Sequence, residues 1–121
     1  MKEEAVFRFL SGSIRSVWAL ELLVLLRRGR ARSWDPDGLV RELRGSQFVV
    51  SEAIHNLKHA GLVAQDAEGL TRYQPATAEL DDICDAIEAL YAAKPMAVIK
   101  AIANAPNEKL RIFSDAFKLK D

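Results

Sequence analysis

Apolar residues recur along this chain at the three- and four-residue spacings of helices, and the pattern changes only between residues 62 and 74, where two short runs read as strands. From Ile14 to about Arg28, the positions Val17, Trp18, Leu22, Leu25 and Leu26 form one wide stripe. Ser13 is placed to cap that helix, after a weakly punctuated stretch over 1–12, and Gly29 to end it. Asp35-Pro36-Asp37 starts a second helix: Asp35 can cap free amides, proline fits a first turn, and Asp37 favours the positive end of the helix dipole. That helix runs through Leu39, Val40 and Leu43 to Arg44, and Gly45-Ser46 turns the chain. Ser46 caps a third helix that reaches about Ala60, with Val50, Ala53, Ile54 and Leu57 on one face and Ser51, Glu52, His55, Asn56 and Lys58 elsewhere. Gly61 tolerates a left-handed helix end, and Leu62-Val63 carries the chain into a strand.

The strand-like runs Leu62 to Gln65 and Leu70 to Gln74 bracket Asp66-Ala67-Glu68-Gly69, whose Asp and Gly suit a tight reversal, and Pro75 cannot continue the ladder. Thr77 caps a further helix with Leu80, Ile83, Cys84, Ile87, Leu90 and Tyr91 on one stripe, and Pro95 opens another holding Met96, Val98, Ile99 and Ile102. After a break at Pro106-Asn107, Leu110, Phe113 and Phe117 give a last amphipathic segment from Glu108 to about Leu119. The predicted fold class is mainly α with a small β-hairpin. Helix, short Gly-containing turn, helix and hairpin fall within 1–76, and a helical extension, 77–121, packs with them as one unit.

From Val17 to Pro75 the chain resembles the winged helix-turn-helix transcription regulators of bacteria, especially MarR-like domains. The resemblance rests on Asp35-Pro-Asp-Gly-Leu-Val-Arg-Glu-Leu43, then Val50-Ser-Glu-Ala-Ile-His-Asn-Leu-Lys-His-Ala-Gly-Leu-Val63, then a wing ending Tyr73-Gln-Pro75. It implies that the third helix enters a DNA major groove while the wing lies over adjacent backbone. Carried onto this sequence, it assigns Gln47, Ser51, Glu52, His55 and Asn56 to base edges, with Ser46 at the head of the same surface, and Lys58 and Arg72 to phosphates. Arg28, Arg30 and Arg32, beside Arg27, form the densest basic cluster; they read either as a phosphate clamp or as cations favouring a helix C-terminus.

Composition adjusts this picture. The chain has 121 residues, half of them apolar, enough for an ordinary core without staples. Seventeen basic and seventeen acidic residues cancel. Residues 13–59 nevertheless carry eight Lys/Arg against five Asp/Glu, and residues 60–121 carry seven against ten, so the reading half is mildly basic and the rest acidic. The neutral balance, Glu52 and the lack of arginine between Gly45 and Leu70 favour a second reading, a winged-helix adaptor that docks a protein partner instead of DNA. A third is a ligand-responsive regulator with an apolar pocket between core and tail.

The lone Cys84 excludes an intramolecular disulfide and a multi-cysteine zinc site, and fits a reducing cytoplasm. It lies on an apolar stripe near Asp81, Asp82 and Asp85, which raise a thiol's pKa, while those acids themselves read as a solvated face. His55 and His59 have a four-residue spacing that suits a metal, but no third ligand lies nearby, so no metal or other cofactor is expected. Trp18 reads as core, and Trp34 as a staple on the second helix. No nucleophile triad, phosphate-cradling glycine loop or metal motif stands out, so an enzyme is not expected. The longest apolar run, Trp18 to Leu26, is too short for a membrane span of ~20 residues. The expected protein is thus a cytoplasmic regulator of double-stranded DNA, away from membranes, paired as a homodimer through its C-terminal helices.

Overall fold

A computed structural model describes residues 2–104. The element order is α1 (Glu3–Ser13), α2 (Val17–Arg28), α3 (Pro36–Leu43), α4 (Gln47–His59), β1 (Val63–Gln65), β2 (Thr71–Tyr73), α5 (Ala78–Ala93) and α6 (Pro95–Ala103). These residues are mostly helical with a two-stranded antiparallel sheet, as the hydrophobic pattern predicts. The segment expected from Glu108 to Leu119 lies outside the described residues.

The N-terminal region differs from expectation. Residues 3–13 are helical, burying Val6 and Leu10, so Ser13 closes α1 and does not cap α2. Ser16 is the cap: its hydroxyl accepts from the Ala19 N–H at 3.0 Å. The chain bends by 115° between α1 and α2. Asn56 of α4 holds the bend, accepting the Arg15 N–H at 2.9 Å and donating to the Ser13 carbonyl at 2.8 Å.

Helices α3 and α4 follow their sequence signals. Asp35 accepts from the Asp37 N–H at 2.8 Å, Pro36 fills the first turn, and Ser46 accepts from the Val49 N–H at 3.1 Å. The connection is tight because Gly45 has no side chain: a Cβ there would sit 3.1 Å from the Trp18 ring. Trp18, expected in the core, is instead 39% exposed. At the end of α4, Gly61 takes φ +79°, its N–H bonds the Lys58 carbonyl, and the Leu62 N–H bonds the Leu57 carbonyl. That pair of reversed bonds satisfies the last free carbonyls and aims the chain into β1.

Strand β1 pairs with β2 in the register Val63–Tyr73, Ala64–Arg72, Gln65–Thr71. Asp66 closes the turn by accepting from the Glu68 and Leu70 N–H groups, each at 2.9 Å. Trp34 adds a one-residue third rung on the other side of β2, exchanging backbone bonds with Thr71 at 2.7 and 2.8 Å. It was expected only as a staple on α3; being long-range, this pairing has no local signature.

Helix α2 is the hub, touching α3, α4, α6 and β2, while α1 packs on α5 and α6. One cluster of buried side chains runs through all of them, from Leu10 and Ile14 through Leu20, Leu23 and Leu57 to Ile87 and Val98. Among the described residues no single helix is long and apolar enough to cross a membrane.

Candidate nucleic-acid interface

Helix α4 buries Val50, Ala53, Ile54, Asn56 and Leu57 and exposes Gln47, Phe48, Ser51, Glu52, His55, Lys58 and His59. At about 3.6 residues per turn the exposed positions cover a continuous arc of about 140°. Gln47, Ser51, His55 and Lys58 run along one side of that arc and line a groove of about 360 Å³. Its opposite wall is Pro36, Asp37 and Val40 of α3, its floor includes Val50 and Ile54, and Gln65 of β1 closes one end. This groove lies between α3, α4 and β1, away from the core–tail boundary where the ligand-responsive reading places its apolar pocket.

The helix and hairpin are joined by a short polar chain. Lys58 donates to the Gln65 side-chain oxygen at 3.3 Å, and the Gln65 amide donates to the Gly69 carbonyl at 3.2 Å and the Thr71 hydroxyl at 3.4 Å. Arg72 points to solvent from β2, between the buried Thr71 and Tyr73. The fold therefore places Lys58 at the junction of helix and hairpin, with Gln47, Ser51 and His55 extending along the helix from it, while Arg72, paired with Ala64, lies on the opposite face of the hairpin from Gln65 and Thr71.

Other expected site residues are elsewhere or engaged. Asn56 does not face outwards: it is 9% exposed, with its amide spent on the α1–α2 bend, so its assignment to base edges is corrected to a structural one. Ser46 is exposed, but its hydroxyl oxygen already caps α4. Glu52 is exposed at the edge of the arc opposite the groove. His55 and His59 are both exposed, and among the described residues no group of three or more His, Cys, Asp or Glu comes together to hold a metal.

The basic cluster divides. Arg28 is exposed at the end of α2. Arg32 lies over the Trp34 ring, 3.7 Å from its centroid. Arg30 leans the other way, 5.6 Å from the Tyr73 ring centroid and 3.9 Å from Asp85. Arg27 is only 2% exposed and is structural. It donates to the Cys84 carbonyl at 3.0 Å, pairs with Asp85 and with Glu88 at 3.0 Å, lies 3.8 Å from Asp81, and stacks on Tyr73 at 5.1 Å. Asp81 also accepts from the Tyr73 hydroxyl at 2.5 Å. The acidic stretch of α5 is thus only in part a solvated face: Asp82 and Asp85 are exposed, but Asp85 pairs with Arg27 of α2, and the half-buried Asp81 bonds Tyr73 of β2.

These contacts set the local protonation. The hydrogen bond and charge of Arg27 hold the Asp85 carboxyl below the usual carboxylate range. Burial, then the bond to Asp81, push the Tyr73 phenol well up. The Cys84 thiol is pushed up to about 11, chiefly by burial and only secondarily by Asp81 and Asp85, whereas Tyr73 and Arg27 act in the opposite direction. The carboxylates alone were the expected cause; the larger one is desolvation.

Two residues escaped the sequence reading although helical spacing carries a signal for both. Arg27 follows Leu20, Leu23 and Val24 on the buried stripe of α2, and Phe48 falls between Ser51 and Glu52 on the exposed arc of α4, where it is 73% exposed. Compared with known proteins, the chain matches no family model, no curated protein and no solved structure at a significant level.

Proposed function

We propose that this chain is a winged helix-turn-helix regulator that reads double-stranded DNA, with α4 in the major groove and the β1–β2 hairpin as the wing over adjacent backbone. The observation that carries the reading is the row of polar side chains Gln47, Ser51, His55 and Lys58 along one side of the exposed arc of α4, joined through Gln65 to a hairpin that also bears Arg72. The rung from Trp34 to Thr71 supports it, because it gives the hairpin a third short strand before α3 and fixes the wing to the helix pair. In this reading Gln47, Ser51 and His55 meet base edges, while Lys58, Arg72, Arg28 and Arg32 meet phosphates.

The regulator acts in the cytoplasm as a homodimer through its C-terminal helices. Met96, 62% exposed, and the solvent-facing Ala92, Ala93 and Ala97 put apolar side chains around Lys94 at the α5–α6 corner, which a second copy would cover. A two-fold pair sets its recognition helices about 34 Å apart on a near-palindromic site. Light scattering at micromolar concentration is expected to give twice the chain mass; a monomer there overturns the dimer.

The deciding experiment is anisotropy binding to a pool of genomic fragments at two salt concentrations, with sequencing of the retained DNA. Salt-sensitive enrichment of a near-palindromic motif is expected, and R72A should weaken all sequences alike while reducing the salt slope by about one. The competing reading, a winged-helix adaptor for a protein, is favoured by Asp37 of α3 on the groove wall and Glu52 on the exposed arc of α4, both adverse to phosphate. No retention at about 50 mM salt, where phosphate contacts are strong, decides for the adaptor.

A further inference from the structure

We infer that Phe48 is a base-reading residue, packing its ring on thymine 5-methyl groups beside an adenine held by Gln47, so that the first turns of α4 select A·T pairs. The inference rests on the DNA reading above and adds the base composition that the site prefers. Single exposed apolar side chains are ordinary on protein surfaces. The position of this one is not. Phe48 is the second residue of α4, follows Gln47 directly, and lies with His55 near the middle of the exposed arc, among side chains that are otherwise polar. The residue is 73% exposed, so the core does not hold it. The N-terminal residues of a recognition helix are the ones that reach base edges.

The thymine methyl is the apolar feature that base edges offer in the major groove, and phenylalanine is among the side chains that pack on it. Guanine is most often read by Arg or Lys. Along α4 the one such residue is Lys58, in the last turn and bonded to Gln65. The first two turns instead present Gln47, whose amide matches adenine N6 and N7, together with Phe48 and Ser51. Glu52, which would accept from cytosine, sits at the edge of the arc.

The test uses the full chain and the DNA motif that it enriches from the genomic pool, synthesised with thymine or with uracil at each A·T pair. Pairing and charge are unchanged and only the methyl is lost. Wild-type affinity is expected to fall about fourfold for each contacted methyl removed. F48A is expected to bind the thymine and uracil duplexes alike, near the wild-type affinity for uracil DNA, with its salt slope unaltered. Equal wild-type affinity for the two duplexes, with the motif still preferred over other DNA, overturns the role of Phe48 and leaves DNA reading in place. Enrichment of no motif overturns both. Because the uracil probe alters no protein atom, a folding defect in F48A cannot imitate the first result.

Discussion

Removing the Asn56 carboxamide leaves the Arg15 N–H and the Ser13 carbonyl without their partners inside the α1–α2 bend. N56A should therefore destabilise the fold by about 1–2 kcal/mol, the lower part of the usual penalty for stranding polar groups, because both partners are only part-buried. In urea unfolding this appears as a lower midpoint at unchanged slope; a change below about 0.5 kcal/mol, typical of surface sites, would return Asn56 to the exposed face. Cys84 makes a second residue-scale prediction. A fully buried thiol with its pKa pushed up to about 11 offers almost no thiolate near neutrality. Iodoacetamide at pH 7.5 should leave the native chain unlabelled by mass spectrometry and modify it once urea unfolds it; rapid native labelling would show that the α2–α5 seam opens.

The elements form where several local signals coincide. Helices α3 and α4 have side-chain caps, Pro36 at a first turn and a single apolar face, and all of these are short-range. Helix α1 lacks a side-chain cap, and its Ser11-Gly12-Ser13 reads as punctuation, so packing of Val6 and Leu10 against α5 and α6 decides it. Gly61 links two elements. A left-handed φ costs an ordinary residue about 1–2 kcal/mol, and an added Cβ would lie 3.4 Å from Leu80. G61A is thus expected to lower the melting temperature by several degrees in calorimetry; no change would mean that the α4–β1 turn relaxes to negative φ.

At the scale of the molecule, Arg27 ties α2 to α5 and to Tyr73 of β2. Its carboxylate partners keep much of their contact with water, Asp85 at 62% and Glu88 at 36% exposure, so they rehydrate if it is lost. R27M should therefore cost less than the roughly 3–5 kcal/mol of a buried ion pair broken in place. The pH dependence follows the same geometry. Asp85 has a folded pKa depressed by Arg27, so its contribution is complete above the unfolded carboxylate value near ~4 and disappears as pH falls through the lower folded value. Thermal scans from pH 6 to 2 should show wild type losing stability below about pH 4 more steeply than D85N; parallel curves would remove Asp85 from the tie.

The sequence by itself determined the elements from α2 to α6, the Ser46, Asp35 and Thr77 caps, the Gly61 reversal and the row Gln47, Ser51, His55 and Lys58, because each depends on spacing within a few residues. Only the tertiary structure decided which polar residues remain outside. Asn56 and Arg27 belong to residue types usually exposed, yet each turns inward because a partner many positions away supplies the hydrogen bonds that water would otherwise make. Trp34 joins Thr71 for the same reason: pairing depends on what another part of the chain brings alongside.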